Sequence, residues 1–229
     1  MPSSARFICL CCLLLSYLNA QSVATDSQEI CSAEVYSTLT TMLAGEDTTI
    51  TPEQWHCIYY GSTQLPTYSP YVEDQTAKIV RELRLRKRDN YETLINTNQL
   101  LRHNPAFLEM YYHQAKSAMR LGEEGLARRA MRNYLALLNV PLSSGDGLTP
   151  QTAFLIRAPA DADLILNTLG FEKEFRRSTE WADKNQPFLV ITAINRQGET
   201  MRYYFDLFYP YIVGADQLVA NSGRRRSLK

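Results

Sequence analysis

The pattern of hydrophobic positions divides the chain near Pro141. Before that point apolar residues recur at helical spacing; beyond it they alternate or run together as strands do. Ile30, Val35, Leu39 and Leu43 form an approximately helical stripe, predicting a helix from an N-cap at Ser27 to Leu43, ended by Gly45. Thr51-Pro52-Glu53-Gln54 opens a second, short helix. Thr51 suits the cap, Pro52 the first helical position and Gln54 the reciprocal bond of a capping box. This helix runs through Trp55-His56-Cys57-Ile58-Tyr59-Tyr60 to a stop at Gly61, and a loop with Tyr68 and Tyr71 follows. From about Val72 to Leu138 the spacing is strongly helical. Its clearest part, Ala106 to Leu138, reads as two helices broken at Gly122. Phe107, Met110, Tyr111, Ala115 and Ala118 mark the first; Leu126, Ala130, Tyr134 and Leu137 mark the second. Ala115, Ala118 and Ala127 are small enough for the two to approach closely. Ile79 to Pro105 reads as a degenerate copy of the same unit, punctuated by Asp89-Asn90.

Beyond Pro141, Ser143 to Pro150 is turn-rich, and β-favouring residues dominate after it. Ala153 to Arg157 predicts a strand, and Asp161 caps a short helix ending at Gly170. Phe171, Phe175 and Thr179 fit an alternating strand, with a helix as the other reading. Phe188 to Ile194 and Thr200 to Phe208 flank Asn195-Arg196-Gln197-Gly198, the chemistry of a hairpin turn. The expected fold is therefore α+β: a helical stack over 25–140, a junction loop over 141–150, a small antiparallel sheet with one short helix over 151–215, and a tail over 216–229.

Residues 1–24 belong to neither half. Arg6 precedes an apolar run from Phe7 to Leu18, followed by small-residue exits ending at Ala20 and Ala24. That is the pattern of a cleaved secretory signal peptide. The run falls short of the roughly 20 apolar residues that span a bilayer, which argues against a retained anchor. Lipidation at Cys11 or Cys12 fits poorly, because apolar sequence continues behind them. The expectation is an exported protein, periplasmic or secreted, with no stable membrane span after cleavage. Loss of Arg6 leaves 23 Lys+Arg against 24 Asp+Glu from totals of 24 and 24. Such neutrality excludes the basic excess of a nucleic-acid-binding protein. Cys31 and Cys57 alone remain of five cysteines. In an oxidising compartment they are candidates for one disulfide, the alternative being two buried thiols.

The pair of helices around Gly122 resembles a tetratricopeptide repeat, a unit of about 34 residues whose helices pack through small side chains. The chain as a whole resembles an uncharacterised family of exported Bacteroidetes proteins, a domain of unknown function. Ile58-Tyr59-Tyr60-Gly61, Tyr68-Ser69-Pro70-Tyr71, Gly145-Asp146-Gly147, Thr152-Ala153-Phe154 and Tyr203-Tyr204-Phe205-Asp206 carry that resemblance, by their order more than singly. It implies a repeat-like helical half, a small β-rich half and export, and implies no activity.

Candidate chemistry is sparse. His56, His103 and His113 lack acids or cysteines at ligand spacing. Cys57 could serve as a nucleophile only with a base in reach, and disulfide formation competes for the same thiol. Asp146 alone cannot supply a calcium loop. No glycine-rich phosphate cradle or nucleophile elbow is present. Arg81 to Arg88 is locally basic, either a solvated helix face or a contact for an anionic surface. These residues call for no metal, no cofactor and no enzyme. The aromatic group Trp55, Tyr59, Tyr60, Tyr68 and Tyr71 has two readings. It lines a surface for a peptide or glycan, or it fixes the loop onto the helices. The function expected is binding of a protein or peptide of the cell envelope; the alternative is a glycan binder or glycan-active enzyme using Trp55, Tyr59 and Tyr60.

Overall fold

The computed structural model describes residues 31–44, 49–65, 68–70, 74–85, 89–171, 173–183, 186–194 and 197–211. The leader, Ser27, Ile30, Gly45, Tyr71 and the 216–229 tail lie outside the described residues.

Helix α1 spans Ala33–Ala44 and buries Tyr36, Leu39 and Leu43. Val35, expected on the inner stripe, is 41% exposed and Tyr36 takes its place. A spacing of four overshoots one helical turn, so the stripe 35–39–43 drifts, whereas Tyr36 lies on the face that Leu39 and Leu43 share. Helix α2, Pro52–Gly61, begins with the expected capping box. The Gln54 amide donates to Thr51 Oγ1 at 3.4 Å, and the Thr51 amide donates to Gln54 Oε1 at 2.8 Å. Gly61 does not stop this helix through a left-handed conformation: its φ is −61°, and a 3-10 turn, Ser62–Gln64, continues from it. Glycine is required there for space. A Cβ at Gly61 would collide with Cys31 Sγ and lie 2.9 Å from Tyr36 Cδ2.

Four helices follow: α3 Asp74–Arg84, α4 Asn90–His103, α5 Leu108–Arg120 and α6 Glu124–Leu142. The starts of α3 and α5, and of α4 and α6, are each 34 residues apart, the tetratricopeptide period. Asp89 caps α4 by accepting from the Glu92 amide at 2.7 Å. Gly122, at φ +78°, turns the chain between α5 and α6, and Ala115, Ala118 and Ala127 are buried there. Helix α6 continues past Leu138 to Leu142 with Pro141 inside its last turn.

The C-terminal half holds strand β1 Phe154–Leu155, helix α7 Asp161–Thr168, and strands β2 Lys173–Asp183, β3 Gln186–Ile194 and β4 Thr200–Asp206. The segment that fitted strand or helix is the strand β2. The sheet order is β1-β4-β3-β2. The pairs β2–β3 and β3–β4 are antiparallel, with Thr179 opposite Leu189 and Ile191 opposite Tyr203. The expectation of a purely antiparallel sheet needs one correction: β1 pairs parallel to β4, Phe154 opposite Phe205. A long connection through α7 and the β2–β3 hairpin sets its direction, and apolar alternation does not encode strand direction. Gly170 ends α7 region at φ +89° and Gly198 turns β3 into β4 at φ +84°. Asp161 does not cap α7. Ala160 holds that position without a side-chain bond, and Asp161 is buried in the first turn. One apolar core runs through both halves, joining Leu39, Ile58, Tyr59 and Leu137 to Ile156, Ile165, Ile191 and Phe205. A smaller cluster holds Val80, Leu83 and Met110.

Candidate functional site

The aromatic group marked in the sequence is placed inside the fold. Tyr59 is 0% exposed, and Trp55, Tyr60 and Tyr68 are also buried. The three tyrosine hydroxyls reach across to the C-terminal half. Tyr59 Oη donates to Asp161 Oδ2 at 2.8 Å and accepts from the Arg157 amide at 3.4 Å. Tyr60 Oη donates to the Leu155 carbonyl at 3.0 Å, and Tyr68 Oη donates to the carbonyl of Arg157. Rings pack as well: the Tyr59 and Tyr60 centroids are 4.9 Å apart at a steep angle, and Tyr60 stacks on Tyr209 at 5.3 Å. Tyrosine suits this position because its ring fills apolar space while its hydroxyl satisfies a buried acceptor. The three tyrosines are therefore interior joints between the halves, and Trp55 is buried in the same core. Their faces are covered, so the aromatic surface expected for a peptide, or for stacking on a sugar ring, is not open at Trp55, Tyr59, Tyr60 or Tyr68.

Arg157 and Asp161 form the charged centre of that joint, both buried. Arg157 Nη1 donates to Ser62 Oγ at 3.1 Å and to Asn104 Oδ1 at 3.3 Å. Its Nε lies 3.8 Å from Asp161 Oδ2, an ion-pair distance too long for a hydrogen bond. Burial raises the Asp161 carboxyl above its ordinary range, against the opposing pull of Arg157 and the Tyr59 hydroxyl. Burial also holds the Tyr59 and Tyr60 phenols well above the usual tyrosine range. A buried charge pair with these partners fixes one geometry for docking the halves.

Cys31 and Cys57 are bonded, with Cα atoms 5.2 Å apart, tying the arm before α1 to α2. The thiol of Cys57 is thereby consumed, which removes it as a nucleophile. Half-buried His56 stands 3.4 Å from Ser143 Oγ, and burial lowers its pKa against the pull of Glu53. His113 Nε2 is 3.5 Å from Glu109 Oε1, one turn away on α5. His103 lies exposed at the end of α4. Among the described residues no group of three or more His, Cys, Asp or Glu side chains could hold a metal ion. Asp146 closes its own turn, accepting from the Leu148 amide at 2.9 Å and from Thr152 Oγ1 at 2.5 Å. In the basic run, Leu83 is buried while Arg81 and Leu85 face outward, and 86–88 lie outside the described residues.

The open surface lies elsewhere, and the sequence reading did not single it out. A groove of about 650 Å³ runs between α5 and α6, with Tyr112, Met119, Met131 and Leu135 along it. Met119 is 63% exposed and Leu135 54%. Lys116, Arg120, Arg128 and Arg132 stand on its rim. The Lys116 ammonium lies 5.6 Å from the centre of the Tyr112 ring. A second, polar cleft of about 530 Å³ between α1, α4, α5 and α6 holds Asn98, Arg102, Gln114, Arg129 and Asn133. In it Gln114 Nε2 donates to Asn98 Oδ1 at 2.6 Å. The signal for the groove was present in the chain: Leu135 is one 34-residue period after Leu101, which packs beside the Val80, Leu83 and Met110 cluster.

Helical hairpins repeated at 34 residues and docked on a small mixed sheet define an α+β protein with a tetratricopeptide-like stack. The chain belongs to the family described as Domain of unknown function (DUF4919), which matches residues 21–210. No curated protein and no solved structure matches it. Among the described residues no helix is long and apolar enough to cross a membrane.

Proposed function

We propose that this chain, as a member of an exported Bacteroidetes family, is a non-enzymatic cell-envelope protein that binds another protein or a peptide. The observation that carries the reading is the groove between α5 and α6, where Met119 and Leu135 stand more than half exposed. Covering apolar surface is favourable by roughly 25 cal/mol per Å², and methionine-lined surfaces adapt to the shape of a partner. Stacked helical repeats present extended faces of this kind for contact. Export is supported by the Arg6, Phe7–Leu18 and Ala20 or Ala24 arrangement. The family match beginning at residue 21 leaves most of that leader outside it, and the Cys31–Cys57 disulfide accords with an oxidising compartment.

The experiment is site-specific photo-crosslinking in the native host. A photoreactive residue replaces Leu135 in the groove, or Tyr91, an exposed residue on α4, as the control. The expected result is one recurrent protein adduct from position 135 in the envelope fraction, absent from position 91. Equal adducts from both positions, none at all, or measurable turnover of a glycan panel would overturn the reading.

A further inference from the structure

The helical stack contains its own template for what the groove accepts. Helix α5 is seated on the α3–α4 pair through Met110 and Phe107, which pack against Val80, Leu83, Leu100 and Leu101. The α5–α6 pair repeats the α3–α4 pair at an offset of 34 residues. Leu135 stands where Leu101 stands in the earlier pair, yet Leu101 is half-buried and packs beside the Val80, Leu83 and Met110 cluster, whereas Leu135 is 54% exposed. The groove is thus a partly apolar helical face on which no helix packs among the described residues. Its floor is shallow because Ala115 and Ala127 lie between the two helices. Tyr112 to Met119 covers two helical turns, about 10 Å of axis, so the complementary segment offers apolar side chains at i, i+3 or i+4 and i+7.

Charge narrows the occupant further. Four cations stand on the rim, and among the described residues none that lines the groove is acidic. Among the described residues, Arg128 alone of the four has a carboxylate at hand, Glu124 at 3.1 Å one turn earlier on the same helix. The chain's own terminal Arg224-Arg225-Arg226 has the same sign as the rim, and two copies joined groove to groove would oppose cation to cation. We infer that the occupant is an amphipathic helix of the partner with acidic residues flanking its apolar stripe. This inference rests on the protein-binding reading above and names the chemistry of the partner.

The test uses the protein purified from its host and three labelled synthetic helices of equal length, followed by fluorescence anisotropy. One carries a leucine stripe flanked by Glu, one the same stripe flanked by Lys, and one the Glu composition with the stripe scrambled. The Glu helix is expected to bind at least about tenfold tighter than the Lys helix, about 1.4 kcal/mol. That preference shrinks as salt rises from about 0.1 M to about 1 M and the Debye length falls from about 10 Å to about 3 Å. R120E/R132E should invert the preference, and Leu135→Ser should abolish binding of the Glu helix; circular dichroism melts confirm that both variants fold. Equal or tighter binding of the Lys helix, or of the scrambled one, overturns the inference, as does Leu135-dependent self-association in sedimentation velocity. A position-135 adduct in the envelope together with no Glu preference would sink this inference and leave the protein-binding reading intact. Absence of any adduct would sink both.

Discussion

Tyr59→Phe isolates a single hydroxyl at the joint between the halves. The ring stays, so the packing of this fully buried side chain is retained and only the bonds to Asp161 Oδ2 and the Arg157 amide are lost. A hydrogen bond to a charged group contributes about 1.5–3 kcal/mol, and leaving a buried acceptor unpaired costs the desolvation of that group. The partners that remain are the Ala158 backbone amide and Arg157 Nε, the latter 3.8 Å away and too far to replace the bond. The expected loss is about 2 kcal/mol in urea unfolding followed by circular dichroism, or roughly 4–8 °C in Tm for a chain of this size. The pH dependence carries the sharper signature. Asp161 has a folded-state pKa raised by burial, so its contribution to stability is fullest below its unfolded value of about 3.9 and declines as pH rises through the folded value. The Tyr59 hydroxyl opposes that rise. Removing it lets burial push Asp161 higher, so the penalty of Tyr59→Phe is largest above the Asp161 pKa and shrinks as pH falls through it. Asp161→Asn should remove this pH dependence while costing about 3 kcal/mol, because Arg157 is left as a buried charge without its counterion. The two substitutions share one bond, so their effects should be less than additive. A Tyr59→Phe loss below about 0.5 kcal/mol that is flat from neutral pH to pH 4 would refute this account, since surface changes alone reach that size.

Gly61→Ala should destabilise by about 1–3 kcal/mol through overpacking against Cys31 Sγ and the Tyr36 ring, outweighing the better helix propensity of alanine; urea midpoints test it, and a rise would refute it. Tyr36→Phe runs the other way. Among the described residues the buried Tyr36 hydroxyl has no partner, and burial pushes its pKa up to about 12, so removal should be neutral or stabilising by up to about 1 kcal/mol. Replacing Cys31 and Cys57 together by Ser should lower stability by about 3 kcal/mol, the chain-entropy value for closing a loop of 26-residue separation. Unfolding in the presence and absence of reductant gives the comparison, and identical midpoints for the native chain would count against it.

Legibility in the chain followed the range of the interaction. The capping box at Thr51, the break at Asp89-Asn90 and the turns at Gly122, Gly170 and Gly198 were readable because their partners lie within a few residues. So was the repeat, since Ala115, Ala118 and Ala127 mark a helix crossing within one period. Asp161 shows where local reading ends. It has the residue type and position of a cap, but Tyr59, 102 residues earlier, decides its role. For Tyr59, Tyr60 and Tyr68 the sequence leaves both readings open, a binding surface or a structural role, because a tyrosine hydroxyl suits water as well as a buried carbonyl. The parallel pairing of β1 escaped for the same reason: two residues, Phe154 and Leu155, carry no information on strand direction. The groove was half legible. Its apolar positions lie in plain helical spacing, yet that Leu135 is exposed while Leu101 is half-buried depends on what packs beside each pair, which the spacing does not encode.

The span of the tyrosine joint also sets an order of events when the chain emerges from its N-terminus. Cys31 and Cys57 can meet as soon as α2 is formed, whereas the Tyr60 and Tyr59 hydroxyls wait for Leu155 and Asp161, 95 and 102 residues further on. Until those arrive, Tyr59 and Tyr60 on α2 lack their polar partners, although α1 and α6 can already cover part of that helix. Contacts so distant in sequence close slowly, because loop-closure entropy comes before any compensating interaction. The helical stack therefore forms with two tyrosine hydroxyls of α2 still without their partners, which arrive with β1 and α7.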